Sequence, residues 1–496
     1  MRTTNLPNTP RTPALALAIC LLLSACAASG PPARIPIAAP AQWYAPLPHN
    51  GSLASLSQWW QQQNDPLLVE LIEAAQEVSP SIVTARSNIE QARANRAASE
   101  AALLPTLDAT GSFSRSVSAP VNRTAAVPVN FGQLGLQTSW ELDVFGQNAA
   151  SRDADQERFE GAQAQWHDAR VSVAAEVATQ YYSLLSCDKL RLVANADARS
   201  RAETARLSAL ATKAGFEAPA TSALARASAA ESNARATQQR AQCDVDIKAL
   251  VALTAFSEPV LREKLTMALA QTTSPKRTEA FVIISEVPAE VLAQRPDVFN
   301  AARELAAASF EVGSARAQRY PRLSLTGNII ANKSRARNIT QGFNTWSIGP
   351  LALTVPLFDG GASEAQLEAA KARYVEAAGK YHSICRQAVR EVEEALVKLQ
   401  STGDRSGDAA QAAESYQASF AGTEARYKAG LASLVELEDS RRTLLSAQSA
   451  LVNLELERRS AWIALYRALG GGWTTATPPV TPMVFDIPES ALPAWH

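Results

Sequence analysis

Past Cys26 the sequence holds no apolar run near the ~20 residues that a membrane-spanning helix requires, so any crossing of a bilayer by the mature chain must use a closed β-barrel. Histidine is scarce. The four present, His49, His167, His382 and His496, are scattered, and none sits in an HExxH pattern or beside a partner for a nucleophile. Five cysteines are also spread too widely for a zinc or redox motif. Aromatic residues make up 6% and the formal net charge is -1, which gives no electrostatic reason to expect nucleic acid. Gly470-Gly471-Gly472 lacks the lysine and hydroxyl of a phosphate-binding loop. With no catalytic constellation, no metal set and no cofactor motif, the chain is expected not to be an enzyme.

What is present begins with an address. Arg2 and Arg11 precede an apolar run from Ala14 to Leu23, and Leu23-Ser24-Ala25-Cys26 follows. This pattern predicts a bacterial lipoprotein signal over residues 1–25, with Cys26 taking a covalent diacylglycerol and an N-acyl chain. The alternative is an ordinary signal peptide with a chance cysteine. Ala27, rather than an aspartate, follows the lipidated position, as in lipoproteins addressed to the outer membrane. Residues 26–60 read as a tether, because six prolines between Pro31 and Pro48 favour extended polyproline geometry.

The rest divides into two similar halves. In the first repeat, 61–255, Asp65-Pro66 opens a helix that runs toward Pro105 with a break near Ser79-Pro80. Strands follow over 107–115 and 133–145, joined by a loop containing Pro120, Asn122, Pro128 and Asn130. A long helix over 147–212 and a return helix over 218–254 complete the repeat. Leu134, Leu136, Thr138, Trp140, Leu142 and Val144 alternate with Gly135, Gln137, Ser139, Glu141 and Asp143, a pattern that sets one strand face toward lipid and the other toward water. The second repeat, 289–472, predicts a helix over 289–318, strands over 323–330 and 346–358, a long helix over 362–427 and a return helix over 433–469. Pro350 and Pro356 fit the fourth strand only at a bulge or an end. Residues 256–288 link the repeats and 473–496 form a tail.

Periodicity in the second long helix is heptad-like: Leu367, Ala370, Tyr374, Ala377, Tyr381, Ile384, Ala388, Val392, Ala395 and Leu399 recur at threes and fours. Alanine along such a seam buries little area per turn, so several helices must share the packing. Lys213-Ala214-Gly215 returns as Lys428-Ala429-Gly430, an offset of 215 residues. Gly215 and Gly430 are therefore candidate tip turns, where a left-handed glycine sends the chain back along itself. Four strands cannot close a barrel, so unpaired strand edges in lipid demand an oligomer of two or more copies.

Two thiols gain meaning from this folding-back. Cys187 and Cys243 each lie 28 residues from Gly215 and so at equal height on antiparallel helices, which makes them a candidate disulfide. The alternative is two small residues in an alanine-rich interface. Cys385 reads as a free, buried thiol.

Over Ser57 to Trp473 the chain resembles the TolC-like outer-membrane efflux family, in its lipoprotein branch of OprM-like and NodT-like factors. The stretches that carry the resemblance are Trp59-Trp60 with Asp65-Pro66-Leu67 and Leu71-Ile72, Trp140 to Gly146, Arg295-Pro296-Asp297-Val298, Tyr320 to Gly327, Pro356 to Gly361, and Ala468 to Trp473. It implies an α+β membrane protein in the bacterial outer membrane: a homotrimer with a twelve-stranded β-barrel, four strands per protomer, continuous with a periplasmic α-helical barrel and a mixed equatorial domain. It further implies a passive exit duct for small molecules such as drugs, fed by an inner-membrane pump through a periplasmic adaptor. Counted from Gly430, the family's acidic pore constriction falls on Glu436 and Asp439, a ring that would attract cations; otherwise these residues lie on a solvated helix face beside Glu438. Two family tip residues are missing, since an arginine is replaced by Ala432 and an aspartate by Thr221. The competing readings are a protein-secretion outlet and a non-spanning adaptor or structural coiled-coil lipoprotein.

Overall fold

The computed structural model describes residues 30–37, 39–40, 42–45, 59–63, 65–118, 127–271, 288–337 and 339–473. Cys26 and the signal sequence, Pro120 and Asn122, positions 272–287 of the linker and residues 474–496 of the tail lie outside the described residues.

Helix α1 (Trp59–Gln62) is one turn, and α2 (Pro66–Val78) follows it. Asp65 caps α2 by accepting from the Leu68 amide at 3.4 Å, and its second carboxylate oxygen accepts from the Tyr181 hydroxyl at 3.0 Å. Pro80 opens α3 (Pro80–Ala101) and holds Ser79 extended at ψ 122, which separates the two helices.

Strands β1 (Thr106–Ser118), β2 (Val127–Leu142), β3 (Arg322–Ala336) and β4 (Ile339–Thr354) form one antiparallel sheet in the order β1-β2-β3-β4. The join between the halves is the β2–β3 pairing, with Leu134 opposite Ala331 and Leu142 opposite Leu323. The strands are longer and placed differently than the alternation alone indicated. Pro128 and Asn130 belong to β2, opposite Val117 and Arg115, rather than to a loop, because hairpin pairing carries the strand beyond its amphiphilic part. At its other end β2 stops at Leu142, so Val144 lies in the turn before the next helix. β4 is displaced toward its N-terminus: it begins at Ile339 and ends at Thr354, short of Pro356. Pro350 follows a cis peptide bond next to the register shift between Leu325 and Gly327.

Two helices dominate the rest. α4 (Gln147–Lys213) and α9 (Ala362–Lys428) have 67 residues each. At about 1.5 Å per residue each spans roughly 100 Å. They return as α5 (Pro219–Thr254) and α10 (Leu434–Ala468), with Ala218 and Ser433 in the N-cap positions. Between the hairpins lie α6 (Glu258–Gln271), α7 (Pro288–Ala293) and α8 (Pro296–Ala317). The expected single helix over 289–318 is thus two, broken at Arg295. Pro296 cannot donate a backbone hydrogen bond, and Arg295 takes an extended conformation (φ -89, ψ 125).

The largest core sits where the halves meet. Leu68, Leu71, Val177, Tyr181, Leu250, Leu261, Val392, Leu396 and Leu465 are buried there together. Elsewhere small residues carry the packing. Ala370, Ala388 and Ala395 are all but inaccessible along α9, as a close alanine seam requires.

The tether is not free. Ser309 donates its hydroxyl proton to the Pro31 carbonyl, Tyr374 donates to the Pro32 carbonyl at 2.9 Å, and the Glu393 carboxylate accepts the Tyr44 and Ala45 amides at 2.7 Å each. Ile35 and Ile37 pack against Leu292, Tyr381 and Cys385 on the way. Extended chain with few internal hydrogen bonds finds its partners on α8 and α9 instead.

Candidate functional site

The sheet separates its side chains by chemistry. Leu107 and Phe113 on β1, Leu134, Leu136 and Trp140 on β2, Leu325 and Ile329 on β3, and Trp346, Ile348, Leu351 and Leu353 on β4 share one face through the strand register. That face is open: Leu134 is 69% exposed and Ile348 83%. The opposite face carries Asp108, Ser112, Gln133, Gln137, Ser139, Asn328, Asn332 and Thr345. Burying the apolar face stabilises at about 25 cal/mol per Å² only if an apolar phase covers it. The run from Leu323 to Ala331 has about the 9–11 residues that a tilted strand needs to cross a bilayer. Among the described residues both outer edges, one on β1 and one on β4, are unpaired. No helix among the described residues is long and apolar enough to cross a membrane.

At the far end the two hairpins turn in the same way. Gly215 (φ 81) accompanies a bond from the Phe216 amide to the Ala211 carbonyl at 2.9 Å, and Gly430 (φ 73) one from the Leu431 amide to the Arg426 carbonyl at 2.8 Å. Those bonds satisfy carbonyls that a helix end leaves open, and the left-handed backbone explains why glycine stands there. Glu436 and Asp439 follow on the first turns of α10, both exposed. Glu436 is committed to a capping box: its carboxylate accepts the Ser433 amide at 2.8 Å, while the Ser433 hydroxyl accepts the Glu436 amide at 3.2 Å. The Ser433 amide, with Arg426 and the Ser433 hydroxyl adding to it, holds the Glu436 carboxyl below its usual range. Asp439 pairs with Arg442.

Sequence reasoning grouped Glu438 with these two on a solvated face. It points the other way. Its carboxylate accepts from Arg201, from the Ser228 hydroxyl at 2.7 Å and from Arg441 at 2.8 Å. Arg201 also reaches Asp197 at 2.9 Å, and Arg441 donates to the Ser200 and Thr204 hydroxyls at 2.9 and 2.7 Å. Arg201 is 7% exposed and Arg441 3%. This buried cluster ties α4 and α5 to α10. The signal was there to find: Leu434, Leu437, Arg441 and Leu444 form a stripe at threes and fours, which put an arginine on the buried face.

Higher up, Cys187 and Cys243 face each other across α4 and α5, their Cα atoms 5.6 Å apart and joined as a disulfide, while Cys385 is free and buried. At the junction of the halves Arg295 donates to the Ala468 carbonyl at 2.9 Å, to Asp297 at 2.9 Å and to Glu391 at 2.8 Å. Gly470 (φ 76) lies so close that a Cβ would come within 2.6 Å of the Gln294 carbonyl. The Arg-Pro-Asp and Gly-Gly-Gly-Trp motifs therefore meet at one packed junction. His167, nearby, is pushed down to about 4 by burial and by Arg170, so it is neutral at pH 7. Burial and Asp297 raise the Asp168 carboxyl, against Arg467 and Arg295. Among the described residues no group of histidine, cysteine, aspartate and glutamate could hold a metal ion.

Comparison with known proteins agrees with this geometry. The chain is 27% identical over 415 residues to the solvent efflux pump outer membrane protein SrpC of Pseudomonas putida, covering 83% of this chain and 87% of that one. It is 28% identical over 468 residues to the pyoverdine export outer membrane protein OpmQ of Pseudomonas aeruginosa, covering 92% and 96%. Among solved structures, the outer membrane protein VceC of Vibrio cholerae superposes with a TM-score of 0.73 at 27% identity, over 84% of this chain and 99% of that chain. The outer-membrane channel OprN gives a TM-score of 0.75 at 25% identity, over 90% and 99%. The family profile described as outer membrane efflux protein matches residues 71–255 and 287–471, the two halves of the sheet-and-hairpin design, and the chain belongs to that family.

Proposed function

We propose that the chain is the outer-membrane exit channel of a tripartite efflux system, in which three copies close a twelve-stranded barrel and their hairpins assemble into a tube through the periplasm. Small molecules such as drugs pass through it without catalysis, delivered by an inner-membrane pump through a periplasmic adaptor. One observation carries this reading: a four-stranded sheet with an exposed apolar face and two open edges, continuous with helices of roughly 100 Å. A non-spanning adaptor has no use for such a face, which would aggregate in water.

Anchoring by lipid on Cys26 fits the path of the tether. Gly30 packs against Ser309, on the helix that leads into β3, and the chain then descends along α9 to Glu393. The four-residue step from Cys26 to Gly30 reaches at most about 14 Å, enough to set the acyl chains near the sheet's lower rim. Gly215 and Gly430 turn the tips, and Glu436 and Asp439 form the narrow ring near them. The cargo is not written in the tube wall, although SrpC and OpmQ by their names serve solvent efflux and pyoverdine export.

Purified protein in a planar bilayer is the test. Discrete channels of small conductance from a cross-linkable trimer are expected, and a trimer-free preparation with no conductance would sink the reading in favour of the adaptor.

A further inference from the structure

Resting on the channel reading, we infer that Arg442 is a specificity-determining residue, and that the constriction carries both signs of charge in register rather than a bare ring of carboxylates.

Helix α10 near the tip has two opposed stripes. Leu434, Leu437, Arg441 and Leu444 are buried, and Val435, Asp439, Arg442 and Ser446 are exposed. Each set recurs at threes and fours, so each is one face of the helix. Asp439 and Arg442 therefore project from the same exposed face, one turn apart, with side chains 64% and 76% exposed and paired to each other. Wherever Asp439 faces the pore, Arg442 does too. Glu436 lies to the flank of this stripe and is engaged by its cap and, at 3.9 Å, by Arg426. Glu436 and Asp439 are thus each matched by an arginine of their own protomer.

The neighbouring arginines divide the work by burial. Arg441 is 2% exposed in its side chain and locked to Glu438, whereas Arg442 is free of the hairpin interface. A three-fold ring of Asp439 with a three-fold ring of Arg442 about 4.5 Å above it has no net charge, so neither sign of ion meets a large barrier. The cargo class that suits such a gate is molecules of either sign or of mixed charge, zwitterions included, rather than cations alone.

Reversal potentials in a KCl gradient across a planar bilayer test this on the intact lipoprotein. The wild type is expected to show a K⁺ to Cl⁻ permeability ratio within about twofold of unity, Arg442→Gln to become several-fold cation-preferring, and Asp439→Asn to become anion-preferring by a comparable factor. Arg442→Lys, which keeps the charge, should retain the wild-type ratio. If conducting Arg442→Gln channels keep the wild-type ratio, or if the wild type is already strongly cation-selective, the inference falls while the channel reading stands. Should Arg442→Gln fail to assemble, the Asp439→Asn ratio decides alone: an unchanged ratio overturns the inference. Absence of conductance in the wild type would instead overturn the channel reading.

Discussion

The two hairpins have the same backbone and different fastenings. Each long helix starts beyond a left-handed glycine, Gly146 or Gly361, runs 67 residues and turns at Gly215 or Gly430. The first hairpin is stapled by Cys187–Cys243 well above its tip, but its return helix starts at Ala218 without a side-chain cap. The second has no staple, and Cys385 stays free. Its return helix starts instead with the Ser433–Glu436 capping box. Backbone geometry is held in common by glycines and heptads, whereas the side-chain devices that fix each tip belong to one repeat alone. The Glu438 cluster engages both, as do the Lys189–Glu455 pair and the packing of Ala205 and Ala225 against Leu434 and Leu437.

That difference can be broken in order of effect. Glu438→Ala should cost most, about 3–5 kcal/mol locally, since it leaves Arg201 and Arg441 buried with part of their compensation gone. Limited proteolysis should then cut both hairpins below the cluster, and wild-type resistance would show that the cluster does not join them. Cys187→Ser with Cys243→Ser should lower the stability of the first hairpin by about 2–4 kcal/mol, because the bond closes a long loop. Amide exchange should quicken in α4 and α5 and hardly change in α9 and α10. Equal loosening of both hairpins would contradict the separate-fastening picture.

Smallest is the cap. Ser433→Ala should cost about 1 kcal/mol at the start of α10. Because the Glu436 carboxyl is held below its ordinary value of 4.5, its share of the stabilisation is present above that value and fades as pH falls through the lowered one. Exchange at the second tip should therefore speed up on acidification below about pH 4.5. The first tip, with no such carboxylate cap, supplies the contrast, and a second tip insensitive to acid would remove Glu436 from the cap.

Much of this was legible in the sequence because it depends on periods and offsets. Alternation along Leu134 to Leu142 marked the exposed apolar face, and the repeat of Lys-Ala-Gly located both turns. Equal spacing from Gly215 brought Cys187 and Cys243 to one height, though only packing could decide that their side chains meet. Where prediction failed, a distant partner overrode the local signal. Pro128 and Asn130 look like loop residues but are held in β2 by pairing with β1, and Asn130 with β3 as well. Glu438 reads as one more surface acid until Arg201, 237 positions earlier, is brought beside it. The break at Arg295 had its proline in plain view, yet the reason it is useful lies at Ala468 and Glu391.

The sequence by itself determined the repeated strand-pair-and-hairpin plan and the tip turns, since these follow from helix and strand periods and from glycine's access to left-handed backbone. The tertiary structure alone decided which charges are buried, which strand residues pair and where the tether lies. Those outcomes depend on contacts between residues hundreds of positions apart, and no local pattern records the burial that makes an ion pair a fastening on one face of α10 and a screen facing water on the other.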